Sequence, residues 1–297
     1  MSKRLIGLLA ALLVLAPIAS RAEEGPGTVY SKDKYPEELA KRPLTLPAGM
    51  AEIYVPVNVN LSKDETIAGV TEFGPFKPVR INPSVYFGIT DDIMVGLYTE
   101  VEPATPMFAG LCLTGESKGC YPFQGVGKGG FLAPVLNTIA GEGVVSLLRK
   151  DDYQLAAFAG VEFLTIADPT IARARFGLSE KWAMGNFALP VKLGVHIGLN
   201  NRDLAPGLTD DTLFVDAEPT LNVTKELAVF VRAAMGSNFS NFSDLITIPV
   251  GAGFEYAVNH NVDFGAKFEF GNLLGKHAAG VDATDDRLGT VFAKVRL

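Results

Sequence analysis

Soft and imidazole ligands are scarce in this sequence, with two cysteines, one tryptophan and three histidines spread over 297 residues. No Cys/His set with metal-ligand spacing can be assembled from them, and neither a phosphate-binding loop nor a dinucleotide fingerprint is written anywhere in the chain. No cofactor and no metal are expected. Positive charge is also short: 26 basic residues stand against 33 acidic ones, a net charge of −7. A polyanion gains little from such a surface, so nucleic acid is excluded as a partner. After the N-terminus no run of about 18 apolar residues occurs, which removes a transmembrane helix. The mean hydropathy is nevertheless +0.22. Apolar residues are plentiful, but they are dispersed.

The way they are dispersed carries the reading. From Phe187 to Leu199 the residues Phe187, Leu189, Val191, Leu193, Val195, Ile197 and Leu199 alternate with Ala188, Pro190, Lys192, Gly194, His196 and Gly198. Period 2 is the side-chain repeat of a strand, and a tilted strand of about 9–11 residues crosses a bilayer. Similar alternation predicts strands at about 50–61, 79–89, 93–101, 139–149, 153–163, 171–182, 187–199, 212–223, 227–236, 246–256, 262–270 and 288–297. The fourth is blurred by Val144-Val145 and Leu147-Leu148. A soluble sandwich would alternate too. The connectors separate the two: tight links at 90–92, 150–152, 183–186, 224–226 and 259–261 alternate strictly with longer ones, as in a membrane barrel. The fold class expected for residues 50–297 is therefore all-β, an antiparallel up-and-down transmembrane β-barrel of about twelve strands.

What precedes the barrel has two parts. Residues 1–22 read as a cleaved signal peptide, with Lys3 and Arg4 ahead of the apolar Leu5 to Ala16 and a small-residue site at Ser20-Arg21-Ala22. Residues 23–49 contain Pro26, Pro36, Pro43 and Pro47 and alternate nowhere; they are expected to form a periplasmic leader or a small plug. In an exported chain Cys112 and Cys120, eight apart in a polar stretch, are expected to pair as a disulfide across an external loop.

The passage RPLTLPAGMAEIYV, Arg42 to Val55, and the closing DDRLGTVFAKVRL, Asp285 to Leu297, resemble Gram-negative outer-membrane β-barrel proteins of the porin-like or transporter type. The likeness spans essentially all of the mature chain. It implies residence in the bacterial outer membrane, contact with outer-membrane lipid, and recognition of the C-terminal strand by the barrel-insertion machinery. That strand ends on Leu297, where such barrels usually carry an aromatic residue. The likeness does not fix an oligomeric state.

Candidate chemistry lies on the inward face. Arg80, Arg173, Arg175, Lys192, Arg232, Lys267, Lys294 and Arg296 stand against Glu52, Glu100, Glu162, Asp216, Glu218, Glu255, Asp263 and Glu269, with His196 among them. A balanced set of this kind fills a narrow lumen with cross-strand ion pairs rather than building a selective ring of one sign. The inward Tyr86, Tyr98, Phe158, Phe214 and Phe230 narrow it further. The expected function is a narrow passive channel or transporter for small or partly apolar solutes. A structural, loop-presenting barrel is the alternative. A lipid hydrolase is disfavoured, because His196, His260 and His277 have no nearby serine motif. The acidic groups Asp203, Asp210, Asp211 and Asp282, Asp285, Asp286 lack the spacing of a calcium loop and read as solvated charge.

Overall fold

A computed structural model describes residues 27–61, 66–67, 70–71, 79–99, 111–112, 139–165, 170–202, 211–239, 246–275 and 282–297. The signal peptide, Glu100, Cys120, His277, Asp203 and Asp210 lie outside the described residues. Twelve strands form one antiparallel sheet that closes on itself. They are β1 (Ala51–Asn60), β2 in two segments (Val79–Ile81 and Ser84–Gly88), β3 (Ile93–Tyr98), β4 (Ile139–Arg149), β5 (Tyr153–Thr165) and β6 (Ile171–Met184). The circuit continues with β7 (Phe187–Gly198), β8 in two segments (Thr212–Ala217 and Thr220–Asn222), β9 (Leu227–Asn238), β10 (Val250–Asn259), β11 (Val262–Phe270) and β12 (Arg287–Arg296). Closure is made by β1 against β12, in register from Glu52 opposite Arg296 to Asn60 opposite Leu288. The Ala51 and Leu297 amides exchange backbone hydrogen bonds at 2.9–3.0 Å beneath this seam.

The breaks in β2 and β8 fall at Pro83 and Pro219, where the ladder has no N–H to use. The chain leaves β3 after Tyr98, and Leu111–Cys112 resumes pairing beside the upper segment of β2, Arg80 opposite Cys112. Tight turns all lie at one end of the barrel. The Asn259 carboxamide caps its turn by accepting from the Asn261 and Val262 amides at 2.8 and 3.0 Å, and Gly185 supplies a φ of +63° between β6 and β7.

Two sequence expectations need correction. The tenth strand runs Val250–Asn259, not 246–256, because Pro249 cannot donate to the ladder and only Thr247 bridges back to Gly236. The blur in β4 is a bulge: the pairing slips between Ser146 and Leu148, leaving both Leu147 and Leu148 on the outer surface.

Solvation is inverted relative to a soluble protein. Leu97, Phe87, Val145, Phe176, Val231, Phe264 and Val291 are among the large apolar side chains facing outward. Glu162, Arg173, Arg175, His196, Asp263 and Arg296 are sealed inside. An outward apolar belt over a polar interior is the pattern of a barrel surrounded by lipid.

Inside, aromatic rings lie across glycines of the neighbouring strand. Tyr86 is registered opposite Gly96, Phe158 opposite Gly177, Phe214 opposite Gly194, Phe230 opposite Gly253 and Phe292 opposite Gly265. A Cβ on Gly96 would stand 2.2 Å from the Tyr86 ring, and one on Gly194 would stand 2.5 Å from Phe214 and 2.8 Å from Phe158. The missing side chain is what lets each ring lie flat along the wall. Gly194→Val should therefore lower the temperature at which the folded band converts on a heat-modifiability gel, at a cost of about 1–3 kcal/mol from overpacking. Gly143→Val, where a new Cβ meets nothing within 4 Å, should leave that temperature within error of the parent protein.

Candidate functional site in the barrel lumen

The period-2 pleat that sends leucine and valine to lipid sends the intervening polar residues of β3 to β8 into one interior cluster. Arg173 Nε donates to Glu162, which is wholly buried. The Tyr98 hydroxyl donates to Glu162 Oε1 at 3.1 Å and accepts from Arg175 Nη1 at 3.1 Å. The Arg175 guanidinium sits over the rings of Phe214, Phe158 and Tyr98 at 5.0, 5.2 and 5.6 Å, a cation held by π-faces as well as by charge. Lys192 Nζ lies 3.8 Å from Glu142 and 4.6 Å from the Phe158 ring centre. His196 is 0% exposed; its Nδ1 contacts the Thr212 hydroxyl at 3.0 Å and its ring lies 4.7 Å from Phe214. A general base must reach a substrate proton. This geometry gives His196 a packing and hydrogen-bonding place instead.

A second cluster is centred on Arg232 in β9. Its Nε and Nη2 donate to Asp216 of β8 at 2.6–3.1 Å, and its Nη1 donates to both oxygens of Glu269 at 2.9 Å. Lys267 is half-buried on β11 opposite Gly253 and Thr290. Glu218 occupies the break in β8, its amide donating to the Pro190 carbonyl at 3.1 Å.

The end with the tight turns is filled by the segment ahead of β1. Arg42, 6% exposed, reaches Glu255 at 2.6 Å and Asp263 at 2.8 Å, and its remaining N–H groups find the Pro36 and Glu37 carbonyls at 3.0 and 3.1 Å. Lys181 donates to the Arg42 carbonyl, the Ala40 amide donates to Asn222 at 2.8 Å, and the Leu44 amide donates to Gln154 at 2.9 Å. Arg296 joins the same carboxylate set through Asp263 and Glu52, while Lys294 holds Glu255 at 2.6 Å. Tyr35 is buried between the Arg296 and Arg42 guanidinium groups at 5.0 and 5.8 Å. Burial, and then the neighbouring Glu52 carboxylate, pushes the Tyr35 hydroxyl well above its ordinary pKa. It stays neutral at any physiological pH.

Toward the other end the wall is polar but less charged. Asn58 donates to Asn82 at 2.8 Å and accepts from Thr290 at 2.6 Å. Arg80 is 2% exposed, and among the described residues its Nε and Nη2 meet no hydrogen-bond partner. Below Asn82 lies a cavity of about 190 Å³ lined by Tyr54, Asn82, Ser84, Tyr86, Tyr98, Arg175 and Lys192.

Sequence reasoning missed Arg42 and Tyr35, since nothing in a non-alternating segment says that it enters the lumen. It missed Glu142 as well, because the bulge in β4 hid the period there. A signal for Glu142 exists in retrospect. It lies opposite Gly96 on one side and Gly160 on the other, as a bulky inward residue between glycines would.

No protein-family model matches the sequence, and no curated protein matches it. Solved structures do match in shape. The NanC porin superposes with a TM-score of 0.55 at 8% identity, covering 82% of this chain and all of the porin. An outer membrane channel from Pseudomonas putida F1 superposes with a TM-score of 0.53 at 9% identity, covering 93% of this chain and all of that channel. This chain has the fold of an outer-membrane channel barrel. At such identities the likeness reaches the architecture and not the residues of the lumen.

The contacts of the segment ahead of β1 lead to a direct expectation. Arg42→Ala leaves Glu255 and Asp263 short of a buried cation, a change worth about 3–5 kcal/mol for a broken buried ion pair. Residues 35–46 should then exchange their amide hydrogens faster in a deuterium-exchange measurement, while strand amides of β5 to β7 keep their protection.

Proposed function

We propose that this protein is a narrow passive channel of the bacterial outer membrane for small solutes, with residues 27–50 acting as a plug at the periplasmic mouth. The observation that carries the reading is the interior itself. The outward face carries a broad belt of large apolar side chains, yet the lumen holds paired charges, hydroxyls and an unfilled cavity rather than a continuous apolar core. A lumen built only as a support would gain more from packed apolar side chains than from buried ion pairs, which are weak contributors to stability. Twelve strands give a bore between the side-chain-filled eight-strand barrels and the wide sixteen-strand porins. The aromatic residues laid along its wall narrow it further.

One observation favours the structural reading, a barrel that conducts nothing. The periplasmic end is closed by Arg42, Tyr35 and their carboxylate partners. Planar-bilayer recording on purified protein decides between them. Discrete conductance steps that grow larger or open more often in Arg42→Ala support a plugged channel. Silence of both proteins at all voltages, with no solute uptake into liposomes, leaves the structural barrel.

Three further parts belong to the same reading. Export uses a signal peptide cleaved after Ala22, and insertion uses the C-terminal strand ending at Leu297. Cys112 and Cys120 form a disulfide in an extracellular loop. Both should resist alkylation in untreated cells until a reductant is added. Replacing both with serine should leave the heat-modifiable band in place, since a bridge over a loop this short contributes at most about 3 kcal/mol. Labelling of both without reductant would refute the pairing.

A further inference from the structure

Many of the charges of the lumen stand in opposite pairs. At the periplasmic end Arg42, Lys294 and Arg296 meet Glu52, Glu255 and Asp263. Higher up, Arg173, Arg175, Lys192 and Arg232 meet Glu142, Glu162, Asp216 and Glu269. Arg80 is left over. Among the described residues no carboxylate lies within ion-pair distance of it, although it is buried. An uncompensated guanidinium inside a barrel is costly unless an anion visits it. Two residues along the same inward face stands Asn82, 1% exposed, whose Oδ1 is taken by Asn58 while its Nδ2 has no partner. Asn82 lines the cavity, so this buried donor belongs to a residue of the cavity wall, within one side-chain rotation of a visitor there.

The rest of that cavity has a definite chemistry. Arg175 and Lys192 bring positive charge to one wall, and Lys192 keeps 30% of its side chain exposed. Tyr54, Tyr86 and Tyr98 supply ring surface, with the Tyr86 and Tyr98 hydroxyls already engaged by Glu142 and Glu162 at 3.1 Å. A visitor would meet an amide and the two cations at one side and aromatic carbon at the other. A volume of about 190 Å³ is below the roughly 300–1,000 Å³ of pockets for drug-sized ligands.

We infer that the cavity lined by Asn82, Arg175, Lys192 and the three tyrosines is a binding subsite for a small monocarboxylate with a flat apolar body, approached past Arg80. The carboxylate accepts from Asn82 Nδ2 and from the Lys192 ammonium, and the apolar body lies against the tyrosine rings. Arg80 contributes field rather than contact: it is a buried cation with no carboxylate partner among the described residues, and it favours an anion over a neutral or cationic analogue of the same shape.

This inference deepens the channel reading, and its test is chosen to be independent of conduction. Benzoate, benzyl alcohol and benzylamine are titrated calorimetrically into the full detergent-solubilised barrel. Benzoate should bind saturably at one site per chain, and the other two should bind at least about tenfold more weakly. Asn82→Ala and Lys192→Gln should each weaken benzoate by about tenfold or more, and Arg80→Gln should narrow the preference for benzoate over benzyl alcohol. Heat-modifiability of each variant confirms a closed barrel before titration. Equal binding of benzoate and benzyl alcohol, or unchanged benzoate binding in both Asn82→Ala and Lys192→Gln, overturns the subsite. Benzoate binding in a barrel that conducts nothing supports the subsite and removes the channel; conductance without benzoate binding keeps the channel and removes the subsite.

Discussion

Everything in this structure follows from the need to pair backbone N–H and C=O groups where no water can reach them. A strand edge left in lipid would strand a row of such groups, so β1 must meet β12, and the nine-pair register from Glu52/Arg296 to Asn60/Leu288 is how it does so. Closure then dictates the rest. A closed sheet has one face to lipid and one to the lumen, and the pleat assigns alternate residues to each. Proline is admitted only where the ladder is interrupted or can spare a donor, as at Pro83, Pro219 and Pro249.

Once the sheet is closed, the interior has to be filled at a fixed and modest diameter. The chain uses two devices. One is steric: five inward aromatic rings lie across registered glycines, which covers backbone without projecting into the bore. The other is electrostatic: carboxylates and cations face one another around the wall, so that Arg42, Arg173, Arg232, Lys294 and Arg296 each have a carboxylate within 4 Å. A cation–π stack over Phe158 and Phe214 lets Arg175 serve both devices at once. The segment ahead of β1 obeys the same logic. Arg42 enters because Glu255 and Asp263 need a second cation beside Lys294 and Arg296, and Tyr35 enters because two guanidinium faces accept a ring between them.

The barrel was legible in the sequence because alternation is a local property repeated twelve times, and the lengths of the links independently say which end is which. Phe187 to Leu199 alone specifies its two faces, and the turn at Asn259 announces itself through its capping carboxamide. The lumen was legible as a set of side chains but not as a set of pairs. That Arg232 takes Asp216 and Glu269 together, or that Glu162 is shared by Arg173, Tyr98 and Arg175, depends on register and on reach across the bore. Neither is written in any single strand. The contacts of the segment ahead of β1 were illegible for a different reason. Its conformation is set by partners more than 200 residues away, such as Glu255 and Asp263 for Arg42, and a segment without periodicity carries no trace of them. The bulge in β4 marks the boundary between these cases: one extra residue, Leu147, erased the period locally and with it the inward assignment of Glu142.

The pairing of glycine with aromatic residues suggests how part of that missing information can be recovered. Register between neighbouring strands is hard to read from hydrophobicity, because sliding by two residues preserves both faces. An inward aromatic residue constrains it more tightly, since its ring needs a place on the next strand where no Cβ stands. Tyr86 finds Gly96, Phe158 finds Gly177, Phe214 finds Gly194, Phe230 finds Gly253 and Phe292 finds Gly265, and every one of these is a directly opposed pair. A slip of two residues would set Phe214 against Lys192 or His196, whose side chains already occupy the wall. Register in the lumen-facing layer is thus fixed by where bulk is absent, and the glycines that look featureless in the sequence are the positions that hold the strands in step.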